Sequence, residues 1–117
     1  MSGAKAEIRV DLSGLEKRFS EGELKAKQAA FASRVAFETR DYVPRDIGTL
    51  QGSEPLSSDY EAGELEWNTP YAERVYDLPQ SSIKTTINPN AHSHWFEAAK
   101  ADRLGAWEEF AKGLMGQ

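Results

Sequence analysis

The sequence predicts an α+β fold in which a small antiparallel sheet is packed by a long helix in the N-terminal half and by a C-terminal helix. Apolar residues recur at helical spacing over residues 21–42 and again over residues 93–114. Shorter segments with strand-like alternation lie before and between these two stretches. With 117 residues, the chain is expected to form a single domain, residues 1–117, around one core.

Composition excludes several classes of protein. Charged residues make up 28% and apolar residues 39%, which is typical of a soluble globular protein. No apolar run approaches the roughly 20 residues of a membrane span, and no signal peptide is recognisable, so no membrane association is expected. The absence of cysteine excludes disulfides and thiol catalysis and favours folding in the cytoplasm. A net charge of −5 argues against broad binding to a nucleic-acid backbone.

The N-terminal segment predicts a strand followed by a short helix. Residues 1–5 are small and polar and are expected to be frayed. Residues 6–12 alternate, with Ile8, Val10 and Leu12 on one face, which predicts a half-buried strand. Ser13 and Glu16 have the spacing of a capping box, so a short helix is expected next.

The first long helix is predicted from Glu21 to about Tyr42. Ser20 and Glu23 form a second capping-box pattern in front of it. One stripe of this helix, at three- and four-residue spacing, consists of Leu24, Gln28, Phe31, Val35, Glu38 and Tyr42. Pro44 disfavours the helical conformation at Val43, so the helix is expected to end there.

The corner at residues 42–50 connects this helix to a part of the chain that is predicted to form β-strands. Arg45, Asp46 and Gly48 supply turn chemistry, and Gly48 can adopt a positive φ without a steric penalty. Arg45 could form an ion pair with Asp46 inside the corner. Two interpretations stay open: a structural corner that fixes the angle between helix and sheet, and a contact surface for another chain.

A hairpin and a short helix are predicted next. Residues 56–60 and 64–67 alternate around a turn that contains Gly63, so they are expected to pair as the centre of the sheet. Thr69 can cap a helix and Pro70 suits its first position, which predicts about two helical turns from Tyr71 to Tyr76.

The last third of the chain predicts a loop and the C-terminal helix. Residues 79–82 read as a mobile loop, residues 83–87 as a marginal strand and residues 88–90 as a turn. Helical spacing then predicts a helix from about Ser93 to Leu114. The aromatic residues expected in the core are Phe31, Trp67, Tyr71, Phe96 and Trp107.

No pattern indicates an enzyme. The chain lacks nucleophile, P-loop and dinucleotide-binding motifs. His92, His94 and Glu97 form the one group that resembles a metal site, but no further histidine or cysteine is present. No metal, cofactor or catalytic residue is therefore expected.

Four segments carry a resemblance to a known family. They are Tyr42-Val43-Pro44-Arg45-Asp46-x-Gly48-x-Leu50-x-x-Ser53, Trp67-Asn68-Thr69-Pro70-Tyr71-Ala72 with Tyr76, Asn88-Pro89-x-Ala91, and Trp95-Phe96-Glu97-x-Ala99-Lys100. Their order and spacing, over roughly residues 20–112, resemble the small minor capsid or head–tail joining proteins of long-tailed bacteriophages and prophages. These are also described as neck or tail-completion proteins.

The resemblance implies a virion structural protein without catalytic residues. Such a protein would be made in the host cytoplasm and would form a homo-oligomeric ring in the neck. Its partners would be other copies of itself, portal or adaptor proteins and tail proteins, and DNA would pass through without sequence-specific binding. The alternative is a cytoplasmic module that binds a small ligand or peptide near Trp67, Tyr71 and Tyr76.

A ring needs two different patches that meet between neighbouring copies. The sequence offers residues 42–53 with the hairpin beside them as one patch and the mobile loop of residues 78–86 as the other. Arg45 is the residue expected to bridge copies, because its planar donor fork suits a carboxylate. The interface residues predicted in this way are Tyr42, Arg45, Asp46, Ile47, Leu50, Leu78, Gln80 and Ile83.

Overall fold

The fold is α+β and mostly helical, as the sequence predicts. The structure is a computed structural model that describes residues 5–9, 20–45 and 48–116, with the backbone alone for residues 5–9. Its strands are β1 (Lys5–Arg9) and β2 (Glu64–Asn68), and its α-helices are α1 (Glu21–Thr39), α2 (Gly48–Ser57), α3 (Ala72–Tyr76) and α4 (Trp95–Leu114). Short 3-10 turns occur at Arg40–Tyr42, Tyr60–Ala62 and Gln80–Ser82.

Helix α1 begins at Glu21, as the sequence predicts, but it ends at Thr39, and a 3-10 turn completes the predicted helical region to Tyr42. The Ser20 hydroxyl accepts the Glu23 amide at 3.2 Å, and the Glu23 carboxylate accepts the Ser20 amide at 3.1 Å. This reciprocal capping satisfies two donors at the helix start. After Thr39 the chain tightens into a 3-10 turn, and Val43, in front of Pro44, is extended with ψ 133°.

The sheet contains two antiparallel strands, β1 and β2, with Ala6 opposite Trp67 and Ile8 opposite Leu65. The strand predicted for residues 6–12 is confirmed over residues 6–9, and Lys5, expected to be frayed, pairs with Asn68. The structure does not describe residues 1–4 or 10–19. The rest of the predicted strand and the helix predicted to follow it therefore lie outside the described residues.

The predicted hairpin is wrong in its first strand. Residues 56 and 57 end helix α2, and a single bridge between Asp59 and Glu64 is the pairing that remains. The open edge of β2 is instead covered by serines, because the amides of Glu66 and Asn68 donate to the hydroxyls of Ser58 at 3.0 Å and Ser53 at 3.1 Å. One side chain of α2 and one from the residue that follows it therefore satisfy donors that a neighbouring strand would satisfy.

The segment after the corner is helical rather than β. Helix α2 packs against β2 and places Leu50 in the core with no exposed surface. It also buries Glu54 completely. The burial of one α2 face against the sheet outweighs the low helix propensity of this glycine-, serine- and proline-containing segment.

Two local predictions after β2 are wrong in detail. Helix α3 forms, but it starts at Ala72. The amide of Ala72 donates to the backbone carbonyl of Thr69, and the Thr69 hydroxyl does not cap the helix. The Thr69 hydroxyl is buried without a hydrogen-bond partner in the described part of the chain. Residues 83–87 form no strand; Ile83 follows a 3-10 turn and is buried as a single anchor.

The C-terminal helix prediction is confirmed by α4, which packs along α1. Trp67 and Trp107 are buried, and Phe31, Tyr71 and Phe96 pack around them half-buried. Trp67 contacts Trp95 edge-to-face with ring centroids 5.7 Å apart, so β2 and the start of α4 share one aromatic core. Within the described ranges, none of the helices combines the length and apolar character needed to cross a bilayer.

Candidate subunit interface

Two surface clefts lie on either side of the segment from Leu78 to Lys84. We call the larger one, with a volume of 780 Å³, the acidic cleft; it is lined by Tyr42, Gln80, residues 89–94, Glu97, Ala98, Ala101 and Asp102. The smaller one, of 220 Å³, is the basic cleft, lined by Pro44, Arg74, Val75, Leu78, Ser82, Ile83 and Lys84. The structure thus brings the predicted corner and the predicted loop together at one surface.

Side-chain amides hold this surface in place. Gln80 donates to the carbonyl of Ala91 at 3.1 Å and accepts the amide of Ser93 at 2.9 Å. The buried amide of Asn88 donates to the carbonyls of Asp41 and Val43 at 3.0 and 2.9 Å. These bonds tie the loop and the 88–94 turn to the end of α1. The chain's own hydrogen bonds therefore hold the part of the acidic cleft wall that Gln80, Ala91 and Ser93 form.

The acidic cleft presents two carboxylates that accept hydrogen bonds from tyrosines. Tyr42 donates to Asp102 at 2.7 Å, and Tyr76 donates to Glu97. Burial and the hydrogen bond to Glu97 raise the pKa of Tyr76, so this hydroxyl stays a donor at neutral pH. Both carboxylates remain exposed, and this cleft therefore presents negative charge to a partner.

Next to the acidic cleft, a charged network joins α1 to α4. Arg103 contacts Glu38 at 3.5 Å and Asp41 at 3.0 Å, and it lies over the ring of Tyr42. The Trp107 indole donates to Glu38 at 2.8 Å. Burial alone would raise the pKa of Glu38, but hydrogen bonds from Arg34 and Trp107 and the charges of Arg34 and Arg103 outweigh it and lower that pKa.

The lowered pKa of Glu38 gives a prediction about acid stability. A carboxyl whose folded-state pKa is depressed stabilises the fold above its unfolded pKa of about 4.3 and loses that contribution as the pH falls through the folded value. We expect Glu38→Gln to lower the free energy of unfolding at pH 7, and the difference from wild type to shrink below about pH 4. Urea titrations across this pH range measure it, with the exposed Glu108→Gln as control. A difference that stays constant with pH would contradict the assignment.

The basic cleft combines an apolar floor with unpaired cations. Pro44, Val75 and Ile83 are buried and form the floor. Among the side chains that the structure describes, the basic ones without a hydrogen bond, ion pair or ring contact are Arg45, Arg74, Lys84 and Lys100. Arg74 and Lys84 line the cleft, and Arg45 directly follows Pro44. Among the described residues, three of these four cations are therefore in the basic cleft or next to it in sequence.

The structure separates the predicted interface residues into accessible and buried ones. Tyr42 and Gln80 line the acidic cleft, Leu78 lines the basic cleft, and Arg45 is exposed beside it. Leu50 is completely buried and packs within its own chain, whereas Ile83 is 8% exposed and lines the floor of the basic cleft. Asp46 and Ile47, and with them the pairing of Arg45 with Asp46, lie outside the described residues.

Sequence reasoning missed Arg74 and Lys84 as members of this surface. They are ten residues apart and belong to different elements, so no periodic pattern connects them. The sequence itself gives no such signal, because Asp77 follows Arg74 at helical spacing and is engaged by His94 only in the folded chain.

The histidines have local roles. His94 contacts Asp77 at 3.0 Å and precedes α4 in a left-handed conformation, with φ 48°. The His92 ring contacts the Ser93 carbonyl at 2.5 Å. No group of three histidine or acidic side chains among the described residues has the arrangement of a metal site. Trp67, the centre of the alternative ligand site, is fully buried, so its ring faces are not accessible to a ligand.

Comparison with known proteins gives the family. No curated protein and no solved structure matches the chain. The sequence model of one family, described as "Minor capsid protein", matches residues 6–114, which include β1 except Lys5, all of β2, the four α-helices named above and both clefts. The chain therefore belongs to this minor capsid protein family of phages, a family of structural proteins of the virion.

Proposed function

We propose that this protein is a neck component that joins the phage head to the tail as a homo-oligomeric ring. The observation that carries the proposal is the family match over residues 6–114, which makes the chain a virion structural protein. The sequence resemblance described above narrows this role to the neck, with portal or adaptor proteins on one side and tail proteins on the other.

The surface of the chain supports self-assembly. A ring requires a heterologous contact, in which one patch meets a different patch on the next copy. The basic cleft collects cations on a chain whose net charge is −5, so it differs in charge from the chain as a whole, and opposite charges favour encounter and fix register.

The overall charge supports a passage for DNA. At a net charge of −5, the protein repels phosphates more than it attracts them. A ring built from such subunits lets DNA move through without adhering to the wall.

Removal of the gene from the phage genome tests this function. We expect heads and tails to accumulate separately and the infectious titre to collapse, because no joint forms between them. Electron microscopy of the lysate and a plaque assay measure both effects, with expression of the wild-type protein in trans as control. Tailed, infectious virions without the protein would refute the proposal. A monomer in solution would not, since neck proteins can assemble on the portal surface.

A further inference from the structure

Leu56 is the most exposed of the large apolar side chains in the described part of the protein, at 89% exposure. It lies near the end of α2, and the exposed acidic residues Asp59 and Glu61 follow within five positions. Glu61 makes no ion pair or hydrogen bond with any described residue. We call Leu56, Asp59 and Glu61 the acidic knob. A surface that offers an exposed leucine and nearby carboxylates suits a partner surface that offers an apolar recess and cations.

The basic cleft is complementary to the acidic knob in both respects. Its floor of Pro44, Val75 and Ile83 is apolar, which suits a leucine side chain, and its volume is 220 Å³. Its edge carries Arg74 and Lys84, which have no partner among the described residues and can face carboxylates.

The other exposed apolar side chains lack this complementarity. Arg40 lies over the Phe37 ring at 5.6 Å, so a cation already faces that side chain. Ile87 is 62% exposed but follows Lys84 rather than acidic residues, and Leu104 is only 43% exposed. The acidic knob is therefore the best match for the cleft.

The knob and the cleft are built from different parts of the chain. Leu56 lies in the last turn of α2, whereas the cleft is lined by Pro44, by residues of α3 and by the segment that follows α3. Two patches without a shared residue are what a head-to-tail contact between identical subunits requires.

We propose that the acidic knob of one copy docks into the basic cleft of the next copy, with Leu56 on the apolar floor and Glu61 facing Arg74 and Lys84. This inference rests on the proposed function in one respect, that the chain assembles with itself. Beyond that function, the inference names the two patches that meet between copies and the charged residues that align them.

Cysteine cross-linking in the particle tests the contact directly. The chain has no cysteine, so Leu56→Cys combined with Ser82→Cys, which places a thiol in the basic cleft, introduces the reactive pair alone. We expect purified virions that carry this variant to give a reducible ladder of multimers on a non-reducing gel. Leu104→Cys with Ser82→Cys is the matched control and should remain monomeric.

Charge reversal provides a second readout. Lys84→Glu and Glu61→Lys should each lower the infectious titre about tenfold or more, and the double variant should recover most of the loss. Lys100→Glu, which reverses an unpaired cation outside the cleft, should have little effect. No recovery in the double variant would contradict the pairing.

The outcomes separate this inference from the proposed function. Virions that contain several copies of the cysteine variant but give no ladder would overturn the docking contact and leave the neck function standing. Virions that contain no copy of the protein would overturn both.

Discussion

Replacement of Trp107 by alanine is expected to lower the free energy of unfolding by about 3–5 kcal/mol. Trp107 is 4% exposed and stacks on Phe96 with ring centroids 6.0 Å apart. It also donates its indole hydrogen to Glu38, which Arg34 and Arg103 contact as well. The substitution therefore leaves a cavity between α1 and α4 and removes a donor from a carboxylate.

Two further variants separate these effects. Trp107→Phe keeps most of the apolar area and loses the hydrogen bond, so we expect a smaller loss of about 1–2 kcal/mol. Phe37→Ala removes an aromatic ring that is 63% exposed and should cost less than about 1 kcal/mol. Urea unfolding followed by far-UV circular dichroism measures all three. An unchanged midpoint for Trp107→Ala would show that this ring does not hold the two helices together.

The two long helices were predictable because local chemistry and long-range packing agree in them. Ser20 and Glu23 cap α1, Pro44 ends the helical region, and the apolar stripes of both helices face one core. Val35 and Trp107, for example, belong to the apolar stripes of the sequence and to the core of the structure. A sequence pattern predicts structure well where local helix preference, capping and long-range packing all favour the same element.

Helix α2 was not predictable from its own residues. Pro55 lacks the N–H that a helix interior uses, and Gly52 and Ser57 are weak helix formers. The alternation of Leu56, Ser58 and Tyr60 resembles a strand. In the structure, the hydroxyls of Ser58 and Tyr60 do not belong to a strand but donate hydrogen bonds to the buried carboxylate of Glu54. That network is visible only once the chain is folded.

The candidate interface was predictable in outline. Turn chemistry at the corner and the loop after Tyr76 indicated two contact segments, and both border the clefts. The assignment of single residues was less successful, since Leu50 is an interior residue of a helix that the sequence did not predict. Arg74 and Lys84 come together only through the tertiary fold.

Glu54 is the polar residue on which the arrangement of α2 and β2 depends most. Its carboxylate is fully buried, and one oxygen accepts hydrogen bonds from Tyr60 at 2.6 Å and Ser58 at 2.8 Å. The other oxygen has no hydrogen bond within the described residues, and the nearest cation, Arg40, is 3.8 Å away. Because Ser58 also accepts the amide of Glu66, the carboxylate orients the hydroxyl that covers the edge of β2.

We therefore expect Glu54→Ala to lower the free energy of unfolding by about 3 kcal/mol or more, since hydrogen bonds to a charged acceptor contribute about 1.5–3 kcal/mol each and the two hydroxyls are left without it. Glu54→Gln keeps the shape and one acceptor oxygen and should cost less. A double-mutant cycle with Tyr60→Phe isolates the bond between the two side chains, and its coupling energy should reach about 1 kcal/mol or more. Asp59→Asn, an exposed change on the same segment, is the control. Coupling close to zero would mean that Tyr60 and Glu54 stabilise the fold independently of each other.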